Sequence, residues 1–216
     1  MTQKRKWKIA ANLLIVLTTA VGMLMMFFWS YGTLLAHGFA NFRYFTVLSN
    51  TFGGLTALLW LICEASGVKG RAERVIALLK FAAAVSLGLT FITVMVFLSP
   101  LYGYINMLKS ANFFFHLITP LVAMAEFVLL NEHRMKMADC VVSMTPMLLY
   151  SLVYLIYNLV MGRGENPFQY DWYGFLLWGW GVGAGILAAI CGVTFLLGAL
   201  LRMCNNRVLR HANDGH

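Results

Sequence analysis

Charge is what this sequence has least of. Only 11% of its 216 residues are charged while 61% are hydrophobic, and the mean hydropathy is +0.76. A soluble domain carries about 25% charged and about 45–50% apolar residues, so this scarcity excludes an ordinary soluble enzyme and a disordered binder alike. Cysteine is sparse too: Cys63, Cys140, Cys191 and Cys204 form no CxxC pattern and no pair in one connecting segment. That excludes a disulfide framework or a thiolate metal cluster and leaves the four as packing residues. No low-complexity tract or internal repeat is present. Sixteen Lys and Arg against eight Asp and Glu leave a charge of +8. The excess is small and sits in short connections, which points to membrane topology rather than to a nucleic-acid partner.

What the sequence has in abundance is long apolar runs. A helix rising 1.5 Å per residue needs about 20 of them to cross a hydrocarbon core of about 30 Å. Six stretches qualify: 9–31, 42–64, 75–98, 112–130, 140–161 and 174–201. Thirteen of the sixteen basic residues fall at alternate ends of these spans: Lys4, Arg5, Lys6 and Lys8; Lys69, Arg71, Arg74 and Lys80; Arg134 and Lys136; Arg202, Arg207 and Arg210. The opposite ends hold Arg43, Lys109 and Arg163. The even span number and the positive-inside bias agree in placing both termini in the cytoplasm. The expected fold is therefore all-α, a polytopic bundle of six transmembrane helices in one domain over residues 1–204, with a short polar cytoplasmic tail at 205–216. The first span is too long for a signal-peptide h-region and lacks a clear cleavage site. Trp7, Trp29, Trp172 and Tyr173 fall at span ends as an aromatic belt. Glycines 179, 181, 183 and 185 lie in an apolar span; they read as close-packing positions, with Gly181 and Gly185 forming a GxxxG, and not as a nucleotide loop. No cofactor or metal is expected.

Ser, Thr and Gly within spans usually mean helix packing, whereas ionisable residues are functional suspects. Helical spacing puts Thr46, Ser49, Asn50 and Gly53 on one face of the second span, and Asn112, His116, Thr119 and Ala123 on one face of the fourth. Ser151, Tyr154 and Asn158 make a third stripe. Thr46 and His116 lie at a common depth, roughly 6 Å below the outer ends of their helices, and Asn158 lies about 5 Å from the same surface. Grouping them in a polar cavity avoids exposing them to lipid, and Arg43 and Asn112 at the rim would meet an anionic head group. In isolation Thr46 also reads as a packing residue, because its hydroxyl can bond the preceding turn. Glu126 lies roughly 15 Å deeper than His116 and is expected neutral or paired.

The strings FRYFTVLSN in the second span, HLITP with Pro120 in the fourth, and YNLVMG followed by NPF before the sixth give the chain its resemblance. It resembles the androgen-induced/FAR-like family of six-helix membrane proteins, including bacterial members, over nearly its whole length. One difference is the segment before the sixth span, ENPFQYDWYG, where bacterial members tend to be rich in Tyr and Pro. Characterised animal members are threonine hydrolases of fatty acid esters of hydroxy fatty acids. The resemblance implies a Thr and His pair at Thr46 and His116, a lipid or lipid-like ester as substrate, and a bacterial cell membrane as location.

Such chemistry needs a base within about 2.6–3.2 Å of the nucleophilic hydroxyl, a task suited to neutral imidazole. Thr46 would attack and His116 would take its proton. Asn50, Tyr154 and Asn158 are the candidate oxyanion donors or orienting groups. With no carboxylate placed to complete a triad, the expectation is a dyad, or an imidazole oriented by an amide or a backbone carbonyl. The alternative from another class is a lipid or small-molecule binding protein that uses the same cavity without catalysis. Transport is a third, disfavoured because Pro120 and Pro146 occupy no matching positions in two halves, and Pro100 and Pro167 fall outside the predicted spans.

Overall fold

The computed structural model describes residues 2–28, 38–162, 166 and 168–214; Trp29, Pro167, Arg163 and His216 lie outside them. Six helices are long and apolar enough to cross a membrane: α1 (Gln3–Phe28), α2 (Phe45–Ala65), α3 (Arg71–Tyr102), α4 (Ala111–Leu130), α5 (Met137–Met161) and α6 (Trp180–Ala212). Among the described residues there is no strand. The start of α1 and the last turns of α6 lie at one end of the bundle: Lys4 and Lys8 of α1 meet Glu132 just beyond α4, Arg5 meets Glu64 of α2, and Asn205 and Asn206 of α6 bond the connection after α4.

The middle of α3 is enclosed on every side: Lys80 through Thr90 are all buried. A helix apolar all round belongs at the centre of a bundle, and the small Ala82, Ala83, Ala84 and Gly88 let neighbours approach it closely. The other five helices ring it, α1 between α2 and α4, and α6 between α4 and α5. The principal core joins Phe81, Val85 and Leu89 of α3 to Phe127, Met147, Leu197 and Leu201, and the rings of Phe81 and Phe127 stack 4.7 Å apart. The ring is loosest between α2 and α5.

Two helices depart from α geometry at the end away from the termini. Thr93–Leu98 in α3 and Phe114–Ile118 in α4 are π-helical, and each ends two residues before a proline, Pro100 or Pro120. Proline lacks the N–H that would bond the carbonyl four residues back, here Val96 and His116, and its ring presses on that carbonyl. A widened turn relieves the conflict. Pro100, expected outside the spans, therefore belongs to the last turn of α3. In α5 the turn at Met144, just before Pro146, interrupts the helix.

Four expectations are corrected. Lys8, placed just before the first span, and Lys80, counted with the basic residues at a span end, are both helical and buried. The sixth span starts at Trp180 rather than Gly174, because Gly174 and Gly179 adopt φ of +69° and +96°, which a right-handed helix does not accept. The helix then continues through the expected polar tail, since Asn205 and Asn206 are buried against the α4–α5 connection. Finally, Gly181 and Gly185 have nothing within 4 Å of where a Cβ would sit, so among the described residues their GxxxG packs against no helix.

Candidate functional site

Two adjoining cavities open from the weak seam. The larger, about 730 Å³, is an apolar groove between α2, α3 and α5, running from Phe42, Arg43 and Trp172 at the end away from the termini down to Val75 and Val142. The smaller, about 160 Å³, lies inside the ring and is lined by Thr46, Thr90, Thr93, Tyr150, Ser151, Tyr154 and Tyr173, with Met147, Phe175 and Leu187 supplying apolar wall. Phe45, Tyr150 and Tyr154 belong to both and form the partition between them.

Thr46 enters this cavity because it is the second residue of α2, where the helix starts against the aromatic cluster. Below it, Ser49 Oγ lies 3.0 Å from Thr90 Oγ1 of α3. The Asn50 amide donates to the Thr46 carbonyl at 2.8 Å and to the Phe115 carbonyl at 3.0 Å, tying α2 to the π-helical turn of α4. Both bonds use Asn50 Nδ2, and its Oδ1 is buried with no hydrogen-bond partner. Asn50 is thus a strut between the Thr46 carbonyl and the residue preceding His116.

His116 is 5% exposed. Its Nδ1 lies 2.7 Å from the carbonyl of Met107, in the short helix Tyr104–Met107 that caps the α3–α4 connection. A carbonyl only accepts, so Nδ1 carries the proton and Nε2 carries the lone pair. No hydrogen bond joins His116 to Thr46, and His116 is not among the residues lining either cavity.

No family model, curated protein or solved structure matches this chain. The geometry alone therefore bears on the site.

The remaining sequence candidates divide. Tyr154 lines the cavity, and its hydroxyl donates to the carboxylate of Asp171. Asn158 is buried but donates to the Tyr154 carbonyl of its own helix, away from the cavity lining. Arg43 stands at the mouth of the groove with Nη2 2.9 Å from the Tyr44 hydroxyl and its guanidinium over the Tyr44 ring, while its Nε is buried with no hydrogen-bond partner. Asn112 is buried, and its Oδ1 also lacks a partner. Thr119 turns toward α1, where its hydroxyl donates to Thr18 at 2.9 Å.

Sequence reasoning left open whether a lid forms from residues 162–173 and assigned no role to Asp171 in it. Asp171 is buried and accepts from Tyr154, from Phe175 N–H at 3.0 Å and from Leu176 N–H at 2.8 Å. Trp172 Nε1 donates to the Tyr150 hydroxyl at 2.9 Å, which itself donates to the Arg43 carbonyl at 2.7 Å. The Tyr173 hydroxyl accepts the Phe45 N–H at 2.8 Å, satisfying a free amide of the first turn of α2. Burial pushes the Tyr173 hydroxyl up to about 12, against the opposing pull of the Phe45 N–H it accepts. The available signal was the density of aromatic residues around one Asp in QYDWYGF. Among the described residues, no cluster of His, Cys, Asp and Glu could hold a metal ion.

Proposed function

We propose that this chain is a membrane-embedded hydrolase of fatty acyl esters, with Thr46 as nucleophile and His116 as general base. The observation that carries the reading is the Nδ1–H bond of His116 to the Met107 carbonyl, which leaves Nε2 as the basic nitrogen. This is the arrangement expected where no carboxylate orients the imidazole. The apolar groove beside the Thr46 cavity supports an acyl substrate, since it opens laterally where α2 and α5 part.

In this reading the ester reaches the cavity past the Phe45, Tyr150 and Tyr154 partition. Thr46 Oγ attacks the acyl carbonyl while its proton passes to His116 Nε2, and that proton then goes to the departing alkoxide. Water, activated by the same nitrogen, hydrolyses the acyl-threonine and restores both residues. Thr46 and His116 share no hydrogen bond in this structure, so in this reading substrate draws α2 and the π-helical turn of α4 together. Tightening of this kind is common on forming a Michaelis complex. The positive-inside distribution puts the cavity near the outer leaflet and both termini in the cytoplasm, as for a bacterial cell-membrane protein. A resemblance to androgen-induced/FAR-like proteins is part of the same proposal.

The test is hydrolysis of fatty acyl esters by purified protein in detergent, with Thr46→Ala, Thr46→Ser and His116→Gln. The reading requires fluorophosphonate labelling that disappears in Thr46→Ala, and loss of at least about 10²-fold in rate for His116→Gln. Equal rates in parent and variants of unchanged melting temperature overturn it. A second reading, lipid binding without catalysis, is favoured by the missing Thr46–His116 hydrogen bond together with the continuous apolar groove. It predicts acyl-chain retention by the parent and by both variants, with no turnover in any.

A further inference from the structure

At the end of the bundle that carries both termini, the α4–α5 connection and the last turns of α6 enclose a cleft of about 640 Å³. Arg134, Lys136, Arg202, Arg207 and Arg210 line it, with Asn206 at its base, and no carboxylate among the described residues lines it. The acidic neighbours on this connection are engaged elsewhere: Glu132 by Lys4 and Lys8 of α1, and Asp139 by Arg74 Nη2 at 2.5 Å and by the Lys136 N–H at 2.6 Å.

The cations stand on a fixed frame. Asn206 accepts the Met135 N–H at 3.0 Å and donates to the Met135 carbonyl at 2.9 Å, while Asn205 donates to the His133 carbonyl at 3.2 Å. Both asparagines are buried, so the connection bearing Arg134 and Lys136 is held against the helix bearing the three arginines. One donor in the cleft, Arg202 Nε, is buried with no hydrogen-bond partner. Like charges gathered on a rigid frame repel one another, and a buried donor left unpaired costs free energy; one bound anion relieves both.

Position selects the anion. The apolar run of α6 ends at Leu200 and Leu201, and Arg202 is the first cation after it. The cleft therefore straddles the boundary between hydrocarbon and water, where phosphates of membrane lipids lie. Guanidinium groups bind phosphate in bidentate fashion, and basic pockets between helices at this level suit anionic headgroups. We propose that this cleft is a binding site for the phosphate-bearing headgroup of an anionic phospholipid. The site is separate from Thr46 and His116 and independent of the hydrolase reading.

The test measures phosphatidylglycerol binding to the purified chain in neutral detergent by native mass spectrometry, with zwitterionic phosphatidylcholine, which has no net charge, as the comparison lipid. Arg207→Gln with Arg210→Gln alters two exposed side chains and leaves the asparagine frame intact. At about 1 kcal/mol per cation, it should weaken binding roughly 30-fold. Lys6→Gln with Lys69→Gln, which removes the same charge at the same end but outside the cleft, should leave binding unchanged. Arg202→Gln checks the buried donor separately and should also weaken binding. Equal losses in the cleft and control variants, or equal retention of both lipids by the parent, overturn the proposal. So does stabilisation by inorganic phosphate without selective phosphatidylglycerol retention, which would assign the cleft to a soluble phosphate.

Discussion

The Lys80 ammonium of α3 lies 2.5 Å from the Glu126 carboxylate of α4, and both side chains are buried in the middle of the bundle. Asn12 of α1 completes the group, accepting from Lys80 at 2.5 Å and donating to Glu126 at 3.1 Å. The Trp60 ring of α2 lies 5.4 Å from the ammonium. Four helices therefore meet at one ion pair. Removing one partner of such a pair strands a buried charge and costs about 3–5 kcal/mol, whereas replacing both by apolar groups is often neutral. Lys80→Met alone should lower the melting temperature by roughly 10 °C, and Lys80→Met with Glu126→Leu should recover most of the loss. Additive losses in the double variant would show that the two do not act as a pair.

Asp171 holds the covering segment by accepting from three donors, Tyr154 O–H and the N–H groups of Phe175 and Leu176. Asp171→Ala orphans all three, at about 1–3 kcal/mol for each buried group left unsatisfied. Amide exchange at Phe175 and Leu176 should quicken by roughly 100-fold while the middle of α3 stays protected. Unchanged exchange at these two amides would mean that the aromatic packing holds the segment without the carboxylate.

How far the sequence led depended on whether a feature was local. The stripe Thr46, Ser49, Asn50 and Gly53 follows from helical period alone, and three of the four are buried as a stripe should be. Glu126 was legible as a residue needing a partner, but Lys80, 46 positions earlier, was counted with the basic residues at a span end and so was not recognised as that partner. Hydropathy also ran the sixth span back over Gly174, since it registers neither a positive φ nor a carboxylate that caps backbone amides. The Met107 carbonyl that orients His116 was invisible for a similar reason: a backbone group carries no residue signature, and only the short helix after Gly103 brings it there.

Glycines that look alike in sequence differ in what surrounds them. A Cβ on Gly54 would sit 2.8 Å from Thr19 Cγ2 and 3.0 Å from Thr19 Cβ, atoms tied closely to the α1 backbone. Gly54→Ala should therefore force α1 and α2 apart and destabilise the bundle by about 1–3 kcal/mol. At Gly181, where the space is open, alanine should be neutral or stabilise by up to about 1 kcal/mol through helix propensity. Thermal melts of the two variants in one detergent make the comparison, and the reverse ranking would contradict this helix arrangement.

The buried Tyr173 hydroxyl makes stability sensitive to alkali. Its folded-state value, raised to about 12, exceeds that of an unfolded tyrosine at about 10. Between these values the unfolded chain has lost the phenolic proton while the folded chain keeps it, so the folded state binds more protons and stability falls as pH rises. The contribution is intact below pH about 10 and is lost by pH about 12, at most about 2–3 kcal/mol. Tyr173→Phe removes this titration while leaving the Phe45 N–H without its acceptor, so the variant should be less stable at neutral pH yet lose less on going to alkali. Melting curves of parent and variant from pH 8 to pH 12 should converge. Parallel curves would mean that the hydroxyl titrates as it does in the unfolded chain, and that the segment over the Thr46 cavity leaves it open to water.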